Sequence, residues 1–263
     1  MRTGPLRGSG ARVVFALIGA VLVLTVLGPI ARLLLSAPAS TLRDVIADQE
    51  LHNALILTLL ASGASTAVAV GLGTPLGYLL ARVDFPLRRS IAALLNLPVV
   101  IPHPVAGIAL VLFLGRNSAI GGPLAQLGLD IVNHVPGLVV AMLFVSAPLF
   151  VSSARQAFQS VDPTLERVAR SLGDSEWLAF RRITLPLARR GLLAGALLSW
   201  ARAVSEFGAV VVVTYNPKVA SVLIFDRFTT DGLRGVIPAS AVLLVIALVV
   251  VVTLSRLEPA DRT

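Results

Sequence analysis

Long apolar runs separated by short polar segments dominate the pattern of this sequence. Six runs stand out, and the fifth is the only one that contains charged residues, Arg202 and Glu206. A helix needs roughly 20 apolar residues to cross the hydrocarbon core of a bilayer, and all six runs are near or above that length. The pattern therefore predicts six transmembrane helices, at residues 13–30, 54–81, 91–115, 135–153, 191–214 and 236–255.

The overall composition supports the same interpretation. Of the 263 residues, 56% are hydrophobic and only 14% are charged, and the mean hydropathy is +0.88. A soluble domain of this length could not bury so much apolar surface. Backbone groups in lipid must be hydrogen-bonded within their own segment, and the runs are too long for barrel strands. We therefore expect an all-α membrane protein with a single transmembrane domain over residues 1–263.

The distribution of basic residues predicts the orientation. With both termini in the cytoplasm, fifteen arginines lie in inner segments and six Lys or Arg residues in outer ones. Cytoplasmic loops are enriched in basic residues, so this bias predicts a multi-pass protein of the cell membrane with both termini cytoplasmic. The same bias explains the net charge of +8 without nucleic acid as a partner. The first run is longer than the apolar core of a signal peptide, so we interpret it as an uncleaved anchor.

The inner segment at residues 160–187 has the pattern of two short helices. Asp162 can cap the first, with Pro163 at its first position, and Gly173 allows the left-handed turn that ends it. Asp174 or Ser175 can cap the second, which carries Trp177 and which we expect to end at Pro186. A solvated basic loop that only fixes topology is the alternative. The spacing favours a helix–turn–helix that lies on the membrane surface and docks a partner.

This segment resembles the cytoplasmic "EAA" loop of binding-protein-dependent ABC importer permeases. That pattern is Glu-Ala-Ala, three residues, Gly, nine residues, Ile, one residue, Leu-Pro; Arg167 occupies the glutamate position, and Glu166 is displaced by one. The resemblance implies the type I ABC importer permease fold, with a coupling helix pair that docks on an ATP-hydrolysing subunit. The residues assigned to this coupling are Ala169, Gly173, Asp174, Trp177, Ile183, Leu185 and Pro186.

The resemblance extends over most of the chain. The stretches "NLPVVIPHPVAGIAL" (96–110) and "SWARAVSEFGAVVVV" (199–213) are similar to permeases for molybdate and tungstate of the archaeal type, and sulfate permeases share much of them. The resemblance implies import of a group VI oxyanion by alternating access. It also implies a homodimer, an ABC ATPase subunit and an extracytoplasmic oxyanion-binding protein. The outer loops at 115–137 and 216–235 are where that protein would dock, or they are only connectors.

The sequence predicts that this chain does not hydrolyse ATP by itself. It contains no Gly-x-x-x-x-Gly-Lys-Ser/Thr run, and its single lysine, Lys218, lies in an outer loop. We therefore expect a permease rather than an enzyme, with no cofactor bound by this chain, and with ATP and Mg²⁺ on the partner subunit. The alternative from another class is a stand-alone channel or secondary carrier, in which Arg202 and Glu206 would serve ion coupling.

The charged pair in the fifth run allows two interpretations. Arg202 and Glu206 are four residues apart, so on one helix they can form an ion pair that neutralises itself. Charges inside a membrane are costly and often mark a transport pathway. In the second interpretation Arg202, with Ser199 and Ser205, offers positive potential to an anion, and Glu206 prevents tight binding.

Prolines in the third run predict a bent helix. Pro98, Pro102 and Pro104 remove backbone donors, which is tolerated in a membrane only where neighbours satisfy the freed carbonyls. The bend is either a gate or a packing kink, and we assign Pro102 and His103 to the pathway. His103 is expected to be a hydrogen-bonded residue. No metal site is expected, because the histidines have no ligand spacing.

Small residues at steps of four predict which helices are interior. Such residues let helix backbones approach closely in lipid. They occur in the fifth run at Gly191, Gly195, Ser199 and Ala203, and in the second at Gly63, Ala67 and Gly71.

Overall fold

The computed structural model of the chain describes residues 9–37 and 47–257. In chain order the helices are α1 (Ser9–Ser36), α2 (Gln49–Arg82), α3 (Arg88–Leu94), α4 (Leu97–Val100), α5 (His103–Leu114), α6 (Gly121–Gln126), α7 (Val135–Gln159), α8 (Pro163–Ser171), α9 (Glu176–Ala179), α10 (Leu185–Val204), α11 (Gly208–Val213) and α12 (Ala220–Leu257). A π-helical turn, Phe180–Thr184, joins α9 to α10. The predicted all-α architecture is confirmed. Both termini, and with them Arg2, Arg7 and Arg262, lie outside the described residues.

Within the described residues, three helices are long and apolar enough to span a membrane by themselves. They are α1, α2 and α7, and a fourth span results if the bent pair Arg88–Val100 and His103–Leu114 counts as one. The fifth and sixth predicted runs are mostly helical, but their helices are not both long enough and apolar enough to meet the same criterion. Arginines at the start of α10 lower its hydropathy, and the apolar part of α12 is Gly235–Val249. A backbone kink at Gly232 (φ 70°) precedes this part.

The prediction of one bent helix at residues 91–115 is wrong in its extent. The segment is broken into α3, α4 and α5, and the two halves meet at 114°. Ile101 is extended (φ −72°, ψ 146°), as expected for a residue that precedes a proline. Pro102 then becomes the residue before α5, and Pro104 lies in its first turn, where its missing N–H costs nothing.

The fifth run is also divided rather than continuous. Helix α10 ends at Val204, and α11 starts again at Gly208. Helix α11 packs on α5, because a Cβ at Gly208 would lie 2.7 Å from the Cβ of His103, and one at Gly107 would lie 2.7 Å from the Cβ of Val212. The two broken segments therefore support each other, and glycines make their close approach possible.

The centre of the bundle is formed by α2, α7 and α10. The predicted small-residue face of α10 is confirmed: a Cβ at Gly191 would lie 2.6 Å from the Cβ of Ala157, and the hydroxyl of buried Ser199 donates to the carbonyl of Ser146 (3.1 Å). The predicted face of α2 is wrong. Nothing lies within 4 Å of a Cβ at Gly63 or Gly71, and Ala67 is exposed.

The packed face of α2 is rotated from the predicted one. Its buried residues include Ser62, Ser65 and Ala69, and a Cβ at Gly77 would lie 2.8 Å from the Cβ of Ala154 on α7. A step of four occurs on both faces of this helix. The pattern of small residues alone could not decide which of them meets α7.

Helix α1 lies at the edge of the bundle. It contacts α12, and none of its apolar window is buried within this chain. Its large aliphatic side chains are exposed from Val13 to Leu27 and again at Leu35. This surface is available to lipid or to another subunit.

Candidate functional site

The segment at residues 160–187, which we call the elbow, is an ordered helix–turn–helix. The carboxylate of Asp162 accepts a hydrogen bond from the backbone N–H of Thr164 (2.8 Å) at the start of α8. The hydroxyl of Ser175 accepts from the N–H of Leu178 (3.2 Å) at the start of α9. Gly173 has a φ of +102°, the left-handed region that favours glycine. The predicted caps and turn are confirmed.

The expectation that Pro186 ends the second short helix is wrong. The chain stays helical from α9 through the π turn into α10, and Pro186 lies at the second position of α10. The N–H of Leu185 bonds to the carbonyl of Phe180, five residues back, instead of four. A wider turn is a local adjustment that accommodates a proline without breaking the helix. The elbow is therefore continuous with the long helix that follows it.

Glu166 fixes the elbow to the helix bundle. Its carboxylate forms an ion pair with the Nε of Arg82 (3.2 Å) and accepts hydrogen bonds from the hydroxyls of Thr184 (2.6 Å) and Tyr78 (3.2 Å). A second nitrogen of Arg82 donates to the carbonyl of Val161 (2.7 Å). Both charged side chains are largely buried, at 11% and 13% exposure. This network joins α2, α8 and the π turn.

Sequence reasoning did not identify this network. It treated Glu166 only as a glutamate displaced by one position, and it assigned no role to Tyr78, Arg82 or Thr184. A partial signal was present, since Glu166 directly precedes a segment with six arginines (167–190), and a carboxylate there is expected to pair with a basic residue. The partner could not be inferred because Arg82 is 84 residues away in the sequence.

The elbow presents apolar side chains on its outer surface. Trp177 is 66% exposed and stacks on Phe180, with ring centroids 5.6 Å apart. Phe180 also packs edge-on against Tyr78. Leu172 and Val168 are exposed as well. Exposed apolar groups held by a rigid base are typical of a protein-binding surface.

The remaining predicted elbow residues have structural positions of their own. Ala169 is buried, and its carbonyl accepts from the N–H of Asp174 (3.1 Å) across the turn. Asp174 pairs with Arg182 (3.5 Å). Ile183 lies half-buried in the π turn, and Leu185 is the first residue of α10. Ala169 and Asp174 therefore stabilise the turn, whereas Trp177 is free to contact a partner.

The predicted pathway residues meet where the two broken segments cross. The Nη2 of Arg202 donates to a carboxylate oxygen of Glu206 (2.6 Å) and contacts the Nε2 of His103 (2.7 Å). Since arginine can only donate, Nε2 of His103 is the acceptor in this contact. The hydroxyl of Ser205 lies 3.4 Å from Nη1 of Arg202. Pro102 precedes His103 and sets its position at the start of α5.

The ion pair is confirmed, but not on one continuous helix face. Glu206 lies in the break between α10 and α11, and its other oxygen accepts from the backbone N–H of Ala209 (2.7 Å). Its side chain is 1% exposed, whereas that of Arg202 is 23% exposed. The buried carboxylate thus caps α11 and holds Arg202 in place. Ser199, by contrast, is bonded to Ser146 and does not join this cluster.

The outer loops contain ion pairs of their own. Arg227 on α12 pairs with Asp48 and with Glu50 (2.9 Å) at the start of α2. The hydrogen bond from Arg227 lowers the pKa of Asp48 below its ordinary value. Asp226 accepts hydrogen bonds from Lys218 and Tyr215. The outer loop at 115–137 contains the short helix α6. These contacts organise the outer face around the ends of α2 and α12.

Helices that cross at broken segments, together with an ordered elbow at one end, are the features of a transport permease. Residues 73–259 match the family described as binding-protein-dependent transport system inner membrane component, and the chain belongs to that family. It is therefore a multi-pass membrane protein and the permease component of an ABC importer.

Three individual proteins show what the chain is similar to. The chain is 39% identical over 242 residues to the molybdate/tungstate transport system permease protein WtpB of Thermococcus kodakarensis, covering 91% of this chain and 93% of that protein. It is 35% identical over 213 residues to the sulfate transport system permease protein CysW of Synechocystis sp., covering 78% and 77%. A crystal structure of a bacterial alginate ABC transporter, in complex with a periplasmic protein bound to an alginate pentasaccharide, contains a similar chain. The TM-score is 0.73, the identity 20% and the coverage 93% of each chain.

Proposed function

We propose that this chain is the permease of an ATP-driven importer for molybdate or tungstate, acting as a homodimer with two ATPase subunits and an extracytoplasmic binding protein. In this proposal ATP and Mg²⁺ bind to the ATPase subunits, and both termini of the permease are cytoplasmic. The observation that carries the proposal is the elbow, which is joined to the bundle at its base by the network of Glu166 and is apolar on its outer surface.

The similarity to WtpB supports the choice of cargo. It covers nine-tenths of both chains, whereas the similarity to the sulfate permease covers less of each. Molybdate, tungstate and sulfate are tetrahedral dianions of related shape. The proposed cargo therefore rests on sequence similarity to WtpB, whereas the proposed mechanism rests on the structure of the elbow and of the cluster around Arg202.

The elbow is proposed to receive the movement of the ATPase subunit. Trp177 and its exposed apolar neighbours would dock on that subunit, and Gly173 would set the angle between the two short helices. The ion pair of Glu166 with Arg82 would transmit the displacement to α2, and the continuous helix through Pro186 would transmit it to α10. Closure of the two ATPase subunits on ATP would then draw the elbows together and open the pathway to the outside.

The cluster of His103, Arg202 and Glu206 is proposed to lie on the pathway. The guanidinium of Arg202 keeps partial exposure, while Glu206 is fully buried beside it. An anion that passes would meet one positive group whose charge is already compensated, so it would be attracted without being trapped. Ser205 and Pro102 would position this group at the break of each helix.

Reconstituted transport tests the proposal directly. Proteoliposomes that contain the permease, its ATPase subunit and the binding protein are expected to accumulate labelled molybdate or tungstate only with ATP. Preference for sulfate would move the assignment to the sulfate permeases. Uptake by this chain alone, without the ATPase subunit, would establish a stand-alone carrier and overturn the proposal.

A matched pair of variants tests the elbow. Trp177→Ser is expected to lower co-purification of the ATPase subunit about tenfold, because exposed aromatic anchors carry much of the energy of an interface. Phe228→Ser removes an exposed aromatic side chain of α12 at the end of the helix bundle away from the elbow. This variant is expected to leave co-purification unchanged. Equal retention in both variants would exclude Trp177 as a docking residue.

A further inference from the structure

A basic cavity lies beside the elbow, outside the cluster and surfaces assigned to transport. It has a volume of about 790 Å³ and opens where α2 and α7 end. Three arginines line it: Arg88 and Arg89 from α3, and Arg155 from near the end of α7. Asp84 is the only acidic residue in its lining. We call this site the basic cavity.

The arginines of the basic cavity are incompletely paired. Arg88 pairs with Asp84 and donates to the carbonyl of Leu80 (2.9 Å). The Nε of Arg155 is buried and has no hydrogen-bond partner among the described residues, and Arg89 forms no ion pair with any of them. A buried donor without a partner is costly, so Arg155 is poised to bind an anion, and Arg89 adds an exposed positive charge to the lining of the same cavity.

An apolar groove adjoins the basic cavity. Its volume is about 410 Å³. Ala93 lines the cavity and the next residue, Leu94, lines the groove; on α7, Arg155 lies one turn beyond Val151 of the groove. The hydroxyl of Ser152 contacts Asn96 (3.3 Å) and holds α7 against the junction of α3 and α4. The other groove residues include Leu72, Leu76, Pro98, Val140, Phe144 and Pro148.

The two sites follow one helix from the membrane surface toward its centre. The groove extends along α7 from Val151 back to Val140, which is about 16 Å at 1.5 Å per residue. Arg155 lies beyond it at the end that leads to the elbow. A charged end at the surface and an apolar channel of this length match a phosphate head group and part of an acyl chain.

We propose that the basic cavity and the apolar groove together bind one anionic phospholipid. The phosphate contacts Arg89 and Arg155, and an acyl chain fills the groove between α2, α4 and α7. A small free anion would satisfy the arginines but leave the groove empty. An apolar helix of a second subunit would fill the groove but leave the arginines unpaired. Only a lipid matches both, and this inference does not depend on the cargo.

The amount of anionic phospholipid retained by the protein tests this proposal. The permease is purified with its ATPase subunit, placed in nanodiscs that contain phosphatidylglycerol and phosphatidylcholine, and the lipids retained after release are counted by native mass spectrometry. Arg155→Gln and Arg89→Gln are each expected to lower phosphatidylglycerol retention about fivefold, the effect of one basic residue near an anionic membrane surface. Arg189→Gln, an exposed arginine of α10 outside the cavity, is the matched control with unchanged retention.

A groove variant separates the lipid from other occupants. Ala147→Phe fills the groove without altering charge and is expected to lower phosphatidylglycerol retention, whereas Ala67→Phe on the exposed side of α2 is not. If excess inorganic phosphate displaces the lipid signal and Ala147→Phe has no effect, the cavity is a small-anion site and the proposal fails. If Ala147→Phe changes only the dimer fraction, a second copy covers the groove, and the proposal also fails.

Discussion

Two glutamates, each paired with an arginine, hold two regions of this permease in different ways. Glu166 draws its partners from α2 and from the π turn, so its contacts span 18 to 88 residues of sequence. The bonds to the Glu206 carboxylate come from Arg202, four residues before, and Ala209, three residues after. One glutamate ties distant elements together, and the other stabilises a local break.

The difference in burial shows what each pair contributes. Glu206 is 1% exposed, Glu166 is 13% exposed, and Asp48 in the outer ion pair is 25% exposed. The penalty for leaving one charge unpaired grows with burial, because water can no longer solvate it. We therefore expect the three pairs to differ in their effects on stability in this order.

The largest effect is expected at Arg202. Arg202→Ala leaves the buried carboxylate of Glu206 with a single backbone donor, which is expected to cost about 3–5 kcal/mol in free energy of unfolding. Thermal unfolding of the purified protein in nanodiscs measures this. The double variant Arg202→Met with Glu206→Gln removes both charges and is expected to cost less than the single one. An unchanged unfolding temperature for Arg202→Ala would show that Glu206 is not held by this pair.

Glu166→Gln is expected to have an intermediate effect on stability, of about 1–3 kcal/mol, because it removes a charge-assisted bond at a largely buried position. In the reconstituted importer, transport is expected to fall more than ATP hydrolysis, since the elbow loses its link to α2. Glu176→Gln is the matched control, because Glu176 lies in the same elbow but is 87% exposed in its pair with Arg170. Equal loss of transport in both variants would contradict a special role for Glu166.

The same substitution at two glycines tests whether the left-handed turn at Gly173 contributes to stability. Gly173→Ala places a side chain at a φ of +102° and is expected to destabilise the protein by about 1–2 kcal/mol. Gly63→Ala, in the interior of α2 with free space around it, is expected to be neutral or to stabilise by about 0.5–1 kcal/mol. Chemical denaturation of both variants checks the opposite signs. Destabilisation by Gly63→Ala would mean that α2 packs on a partner through that face.

The smallest effect is expected at the outer pair. The pKa of Asp48 is lowered in the folded protein, so its contribution to stability is present above its unfolded pKa of about 3.9 and is lost as pH falls through the lower folded value. Asp48→Asn is expected to cost about 1 kcal/mol or less at neutral pH, since the pair is partly exposed. It is also expected to flatten the stability profile below pH of about 4. A profile that keeps its acid slope in Asp48→Asn would assign that slope to other carboxylates.

The elbow could be predicted because its signals are local. Asp162, Pro163, Gly173 and Ser175 act on backbone groups within a few residues, so their spacing is sufficient to place two short helices and a turn. The continuation of the helix through Pro186 was missed. A π turn before Pro186 accommodates the proline without ending the helix, and no sequence signal indicates such a turn. The partner of Glu166 was missed because it lies on another helix.

The broken segments show where sequence patterns reach their limit. Pro98, Pro102 and Pro104 indicated a bend, but a bend of 114° and a second break after Val204 depend on the contact of α5 with α11. Arg202 and Glu206 satisfied helical spacing, although only one of them lies on a helix. An i,i+4 pair can form across a helix end as well as along a helix face.

The sequence alone was sufficient to predict an all-helical membrane protein with an elbow. The lengths of the apolar runs predict helices, because a backbone in lipid must form its hydrogen bonds within its own segment. The caps, glycines and prolines predict the elbow, because they act on backbone groups nearby. Packing decided the rest: which small-residue face of α2 is buried, which arginine neutralises each glutamate, and where α3 meets α7 to form a basic cavity above an apolar groove. These features arise from residues far apart in the chain, and their energies depend on burial that exists only after the helices have assembled.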